Sequence, residues 1–334
     1  MKKRYWIAGA VGVAAGAAVT AKLLSRPDEV NWDEHGQQLP HKEHSRFADI
    51  EGVRVHYQEA GAPDAPPLVL IHGFCASTHV WRAVFLPLAE SGFRVIAPDL
   101  LGYGFSDKPR DGAYTFEAQA RMIDGLMEHL KIERATLVGS SYGGAVAATC
   151  ALDYPSRVSK LVMIGAVIND DPVRQPIARL ATAPLVGDLV TPFMLDSRRL
   201  SRWRQKKKIL ASGSPLLYDE ERLDAHHRPL RAASAHRAVL RTLRNWQAGR
   251  IEQQAHDIKQ PTLLIWGEND LEIPLRHGEL LHEKMPDARL VVLRRCGHLP
   301  QEEYPQEFVK LVTEFCSDAR QLEQRDSEFQ MSVV

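Results

Sequence analysis

Short apolar runs recur along the middle of the chain, each followed by turn residues. Leu68–Ile71, Ala135–Val138, Val158–Ala166, Pro261–Gly267 and Arg289–Leu293 are between 4 and 9 residues long. Runs of that length, bounded by glycine or polar residues, read as buried strands. Between them lie stretches compatible with helix, such as Phe116–Leu130 and the small-residue run Gly144–Ala151. Strands alternating with helices predict an α/β chain with a doubly wound, mostly parallel sheet. Ahead of these runs, Phe47–Ile50 and Val53–Glu59 predict an antiparallel hairpin that turns at Glu51-Gly52.

The alternation breaks between Asn169 and Ile258. That segment reads as helical and is punctuated by Pro172, Pro176, Pro184, Pro192, Pro215 and Pro229. A structureless loop of ~90 residues is rare inside a compact domain, so a folded helical insertion is expected over 169–258. The core then comprises 46–168 and 259–318, and 319–334 is a polar tail. No internal repeat stands out.

The N-terminus carries a different pattern. Lys2-Lys3-Arg4 precede an uncharged run of 17 residues, Tyr5–Ala21. As a helix it reaches ~25 Å. A bilayer core is ~30 Å thick, so it spans if Lys22 snorkels and Leu23 and Leu24 contribute. Two readings of 1–24 are open: an uncleaved membrane anchor, which is favoured, and a signal peptide cut after Val19-Thr20-Ala21. Basic residues flank both ends, and the balance weakly favours a cytosolic N-terminus with the folded domain on the non-cytoplasmic side. Cleavage would instead give a secreted or periplasmic protein. Residues 25–45 are polar and without period, and read as a tether.

Composition narrows the class. Over 334 residues the hydrophobic share is 44% and the charged share 25%, ordinary for a globular chain. Formal net charge is zero, so no long-range field toward nucleic acid is implied. No C-x-x-C spacing and no His cluster point to a metal, and no cofactor is expected. Cys75, Cys150, Cys296 and Cys316 are too dispersed for a disulfide framework and are expected as buried free thiols; a bridge between Cys75 and Cys296, which both flank candidate site loops, is the alternative. Oligomeric state is not encoded in any pattern here.

The chemistry collects at the ends of the apolar runs. Gly139-Ser140-Ser141-Tyr142-Gly143 is a G-x-S-x-G sequence between a strand-like run and a helix-like one. Only Ser141 fits the register, because Val138 stands two positions before Ser140. Asp270 follows Pro261–Gly267, and His298 follows Arg289–Leu293. In an open parallel sheet those ends share the edge where ligands bind. The order Ser…Asp…His is the order of the α/β-hydrolase arrangement rather than of either serine-protease type. Asp170 and Asp171, after Val158–Ala166, are the rival acids.

Four stretches between Phe47 and Asp318 resemble the α/β-hydrolase superfamily. They are His72-Gly73-Phe74; Asp99-Leu100-Leu101-Gly102-Tyr103-Gly104-Phe105-Ser106; the Ser141 elbow; and Gly297-His298-Leu299-Pro300 through Glu303-Tyr304-Pro305. The turn and tail patterns are also similar to those of epoxide hydrolases and haloalkane dehalogenases, which place an aspartate at the elbow. Ser141 favours ester or thioester chemistry instead. The resemblance implies an α/β-hydrolase core whose 169–258 insertion is a cap that roofs the serine and excludes water. It implies Ser141 as nucleophile, His298 as base, Asp270 as the residue orienting it, and the backbone N–H groups of Phe74 and Tyr142 as an oxyanion hole. His72, Asp99 and Ser106 read as structural.

Within the insertion, Ser197–Lys208 (SRRLSRWRQKKK) holds seven basic residues and no acid, with Trp203 interleaved. A solvated helix face is the plain reading; docking on anionic lipid is the functional one. With the N-terminal run, the layout resembles membrane-anchored monoacylglycerol-lipase-like hydrolases. It implies a carboxylesterase or lipase acting on small-molecule or lipid-like, medium-chain esters. A thioesterase, a carbon–carbon bond hydrolase and, from another class, a non-catalytic ligand receptor on the same fold are the alternatives.

Overall fold

A computed structural model describes residues 30–317 except 175, 198, 201, 204, 205, 208–219, 221–224, 226–229 and 231. The Tyr5–Ala21 run, the 319–334 tail and much of the Ser197–Lys208 run therefore lie outside the described residues. Among the described residues, no helix is long and apolar enough to cross a membrane.

The five apolar runs form β3, β5, β6, β7 and the edge strand β8 of an eight-stranded sheet: β1 Ser45–Ile50, β2 Val53–Ala60, β3 Pro67–Ile71, β4 Arg94–Pro98, β5 Ala135–Ser140, β6 Val158–Ile164, β7 Thr262–Gly267 and β8 Ala288–Leu293. Their spatial order is β1-β2-β4-β3-β5-β6-β7-β8. β1 and β2 pair antiparallel as a hairpin, β2 meets β4 antiparallel, and every later pairing is parallel. Strands buried on both faces carry continuous apolar sequence. Their side chains still divide by the two-residue period. Leu68, Leu70, Val138, Val162, Leu263 and Ile265 pack on one face with Trp81, Phe85, Leu88 and Phe308. Val69, Ile71, Leu137, Leu161, Met163, Leu264 and Trp266 pack on the other with Phe116, Ile123 and Val146.

Three helices fix the core: α1 Phe85–Glu90, α2 Phe116–His129 and α3 Tyr142–Asp153. From β3 the chain crosses to β4 on one side and then returns to β5 on the other. The loops after β3 and β5 therefore flank a switch point, where the carboxyl ends of parallel strands leave a crevice.

The described part of 169–258 is helical and contains no strand. It comprises α4 Asp171–Arg174, α5 Pro176–Thr182, α6 Val186–Asp196, α7 Ala233–Arg244 and α8 Gly249–Gln253, with a 3-10 turn at Ala255–Asp257. α5, α6 and α7 pack on one another. α7 buries Ala235, His236, Ala238, Val239, Leu240 and Thr242 along one face, which is the helical period.

One expectation needs correction. Residues 30–45 are not a bare tether. They form the short turns Trp32–His35, Gly36–Gln38 and Lys42–His44. Trp32 packs its ring on Phe47, His56 and Phe105 at centroid distances of 5.3, 5.1 and 4.9 Å. One large aromatic side chain anchors a stretch too polar to show a period.

Candidate active site

Ser141 lies between the end of β5 and the first residue of α3. Its backbone sits at φ 55°, ψ −115°, a conformation that costs a non-glycine residue about 1–3 kcal/mol. The surroundings enforce it. The Ser141 N–H donates to the Ile164 carbonyl at 2.8 Å, and the Val167 N–H donates to the Ser141 carbonyl at 3.1 Å. A Cβ at Gly143 would overlap the Ile71 carbonyl, so only glycine lets α3 approach β3 this closely. The serine is thus raised on a tight turn at the crevice.

The loop after β3 meets it there. A Cβ at Gly73 would lie 3.2 Å from the Ser141 Cβ. His72 holds this loop with both ring nitrogens. The Leu100 N–H donates to Nε2 at 2.9 Å, so Nδ1 carries the proton and donates to the Gly73 carbonyl at 2.8 Å. Complete burial pushes the His72 pKa down, which favours that neutral form. Phe74 follows, and Cys75 then takes a left-handed φ of 56°. Tyr142, as the first residue of α3, has a backbone N–H with no partner inside the helix, at the end whose dipole favours negative charge.

Asp270 and His298 are joined. His298 Nδ1 donates to Asp270 Oδ2 at 2.7 Å, while Asp270 Oδ1 accepts from the Glu272 and Ile273 N–H groups at 2.8 and 2.9 Å. With its proton on Nδ1, His298 presents Nε2 as a lone-pair acceptor. A Cβ at Gly165 would lie 2.9 Å from Asp270 Oδ2 and 3.1 Å from His298 Nδ1. Gly165 follows Ile164, whose carbonyl receives the Ser141 N–H. The loops after β3, β5, β6, β7 and β8 therefore converge on one point of the sheet edge.

The rival acids serve elsewhere. Asp170 Oδ1 accepts from the Ala248 N–H at 2.8 Å. Asp171 lies 3.9 Å from Arg276 and 3.7 Å from His277. Both occupy the neck by which the 169–258 insertion joins the core. Asp99 is a buried hub. Its carboxylate accepts from Thr78 N–H, Phe105 N–H and His56 Nδ1 at 2.7, 2.8 and 2.7 Å. Burial alone would raise its pKa, but the His56 and His72 rings and the Phe105 N–H outweigh it and hold the group at about 2. Ser106 donates to the Asp99 carbonyl at 2.7 Å, closing the turn. None of the four cysteines is in a disulfide; Cys75 is only partly buried, and burial pushes the Cys150 and Cys296 thiols up.

Two positions near the site, His56 and Trp246, carried no sequence signal, and Glu303 stood in the tail motif without an assigned role. Glu303 accepts from the Gly297 and Leu299 N–H groups on both sides of His298. His56 pairs with Asp99 across 43 positions. Trp246 packs from the insertion onto Phe74 and Tyr142. Among the described residues, no cluster of three or more His, Cys, Asp or Glu could hold a metal.

The family model described as "alpha/beta hydrolase fold" matches residues 66–305. The chain belongs to the α/β-hydrolase family. A hydrolase of Bacillus subtilis, YugF, is 31% identical over 274 residues, which is 80% of this chain and 95% of that protein. The 2-hydroxymuconate semialdehyde hydrolase of a Pseudomonas species is 32% identical over 279 residues, 80% of this α/β-hydrolase and 92% of that protein. The crystal structure of a membrane phospholipase A, a bacterial virulence factor, superposes with a TM-score of 0.69 at 25% identity, covering 95% of this chain and 99% of that one.

Proposed function

We propose that this α/β-hydrolase is a serine hydrolase that cleaves carboxylic esters of lipid-like or medium-chain type through an acyl-enzyme on Ser141. One observation carries the reading. A strained serine stands at the same point of the sheet edge as a histidine whose proton is fixed on Nδ1 by a buried carboxylate. In the proposed reaction Ser141 Oγ bonds to the ester carbonyl carbon as its proton passes to His298 Nε2. Asp270 stabilises the imidazolium. The carbonyl oxygen gains the negative charge and is held by the Phe74 and Tyr142 N–H groups. The carbon–oxygen bond to the alcohol then breaks, and His298 returns its proton to that oxygen. Water attacks the acyl-enzyme by the same route, releasing the acid and restoring Ser141.

The lipid preference rests on the insertion, which acts as a cap, and on the membrane phospholipase A likeness. Leu185 is 80% exposed and Trp203 59% exposed, beside exposed Leu180 and Val186. Lys207 lies over the Trp203 ring at 5.4 Å, and Arg202 pairs with Glu220. Aromatic and basic groups together suit the headgroup level of an anionic membrane. With residues 1–24 as anchor, the catalytic domain would sit against the non-cytoplasmic face.

A second reading is favoured by the likeness to the Pseudomonas ring-cleavage hydrolase: the same residues would hydrolyse a carbon–carbon bond. The two separate in one assay on the full-length protein. p-Nitrophenyl esters of rising chain length and a glycerol monoester are compared with 2-hydroxymuconate semialdehyde. Turnover of the esters, lost at least ~1,000-fold in Ser141→Ala, supports the ester reading. Faster turnover of the dienoate supports the second. Ester turnover that persists in Ser141→Ala overturns the nucleophile, and turnover of one event per many minutes, against a median of ~10 per second for enzymes, marks a receptor.

A further inference from the structure

The insertion contributes more than a roof. Trp246 lies in its outgoing neck, between α7 and α8, and is 8% exposed. Its ring meets Phe74 at 5.8 Å, edge-on at 83°, and Tyr142 at 5.5 Å, tilted by 50°. These are the two residues whose backbone N–H groups are proposed to hold the oxyanion. Phe116 backs the contact, 5.5 Å from Trp246 and 4.7 Å from Tyr142. Tyr103 closes the cluster from the far side, 6.2 Å from Phe74 and 6.4 Å from Tyr142. The rings of Tyr103, Phe116 and Tyr142 are buried, so the cluster is a packed wedge rather than an open acyl pocket.

The wedge is tied to the cap at several points. Trp246 Nε1 donates to the Asn169 carbonyl in the incoming neck at 3.4 Å. The Ala248 N–H donates to Asp170, Asn169 donates to Glu252 Oε2 at 2.9 Å, and the Glu252 N–H donates to the Ile168 carbonyl at 3.1 Å. Tyr103 donates its hydroxyl proton to Thr242 Oγ1 on α7 at 2.9 Å. The two necks therefore form one clasp, and Trp246 is its tooth against the catalytic loops.

Phe74 lies in neither a strand nor a helix. His72 fixes the backbone before it, and the left-handed Cys75 turns the chain after it. His72 Nδ1 and the Ala76 N–H both donate to the Gly73 carbonyl, which shares a peptide plane with the Phe74 N–H, and the packing of the Phe74 ring is the further constraint on that plane. That packing comes from Tyr103 and Tyr142 of the core and Trp246 of the cap. We propose that Trp246 is a positioning residue through which the closed cap holds the Phe74 and Tyr142 amides at the oxyanion. The inference rests on the ester-hydrolase reading. Charge develops on that oxygen only in the transition state, so a loosened donor lowers kcat and leaves ground-state binding largely untouched.

The test uses the full-length protein, p-nitrophenyl acetate and a trifluoromethyl ketone that forms the tetrahedral adduct. The acetyl group is too small to depend on the cap for binding. Trp246→Ala is expected to lower kcat about 10- to 100-fold, with KM changed less than about threefold. The ketone's inhibition constant should rise in step with the loss of kcat, and Trp246→Phe should restore most of both. If Trp246→Ala does not fold, Trp246→Leu keeps an apolar side chain without the ring, and the same criteria apply to it. Asp170→Ala, which opens the clasp without touching a ring, should lower kcat on the acetate in the same direction by about 3- to 10-fold. A merely structural Trp246 would lower the melting temperature and leave kcat on the acetate and the ketone affinity within twofold of wild type; that result overturns the proposal. Wild-type protein that neither turns over the acetate nor binds the ketone would instead remove the ester reading beneath it.

Discussion

Glu303 brackets His298 by accepting the N–H groups of Gly297 at 2.7 Å and Leu299 at 3.1 Å. Asp270 fixes the ring, and Glu303 fixes the backbone that carries it. The residue belongs to a one-turn helix, Pro300–Glu303, separated from the histidine by Leu299 alone. The loop after β8 is thus tied back on itself within six positions, and the imidazole is held from both ends.

Removing the carboxylate from this bracket should cost turnover without destroying the protein. Glu303→Gln keeps the shape but can accept well from only one of the two N–H groups. A drop in kcat of about tenfold is expected, with a loss of about 1–2 kcal/mol of stability from the unsatisfied N–H. Steady-state kinetics beside urea unfolding would check both. An unchanged kcat would leave Glu303 with a role in stability alone.

The acid assignment separates by substitution. In Asp270→Asn the amide can donate to Nδ1, which favours the wrong tautomer and leaves His298 unable to take the serine proton; a loss near 10,000-fold is the scale for such a change. Asp170→Asn retains an oxygen for the Ala248 N–H and should cost less than about tenfold. Asp171, on the Arg276 and His277 side of the neck, should cost less still. Greater damage from either neck residue would move the acid to the end of β6.

The features legible in sequence share one property: each is written locally. The Ser141 elbow, the His72-Gly73 loop and the Gly297-His298 turn each follow an apolar run within a few residues, and the structure draws them together at the switch point because parallel strands share that edge. The hairpin at Glu51-Gly52 was equally local, and both residues take positive φ there. What escaped depends on distant partners. His56 looked like one of fourteen histidines until Asp99, 43 positions away, came against it. Trp246 drew no reading from its sequence neighbours, because its partners Phe74 and Tyr142 lie more than 100 positions away. Asp170 stands after β6 where an acid could stand, and its bond from the Ala248 N–H comes from a partner 78 positions away.

Acid should weaken the fold through Asp99. Its folded pKa of about 2 lies below the ordinary 3.8, so the stabilisation is fully present above pH ~4 and is lost as pH falls toward 2. The depression corresponds to about 2 kcal/mol. Asp99→Asn should lose about 2 kcal/mol or more at neutral pH, because an amide has a single acceptor oxygen for the Thr78 N–H, the Phe105 N–H and His56 Nδ1. The gap between wild type and variant should then narrow from pH 5 to pH 3. Urea unfolding at both values and at pH 7 measures it; a gap that stays constant would remove the linkage.

The chain should associate with membranes through two elements that salt distinguishes. Insertion of Tyr5–Ala21 rests on apolar burial and is insensitive to salt. Docking by the basic cap run is electrostatic and screened over ~8 Å at physiological ionic strength. Protein lacking residues 1–24 should therefore be soluble, bind vesicles containing phosphatidylserine at low salt, and release at high salt. Replacing Arg202, Arg204, Lys206, Lys207 and Lys208 with Gln in that form should abolish the residual binding. It should also lower hydrolysis of vesicle-borne esters more than of soluble short ones, since Ser141, Asp270 and His298 are untouched. Part of the charge is already engaged, because Arg202 pairs with Glu220. Equal vesicle binding before and after the five replacements would reduce the run to a solvated face, and full release of the complete chain by salt would remove the anchor.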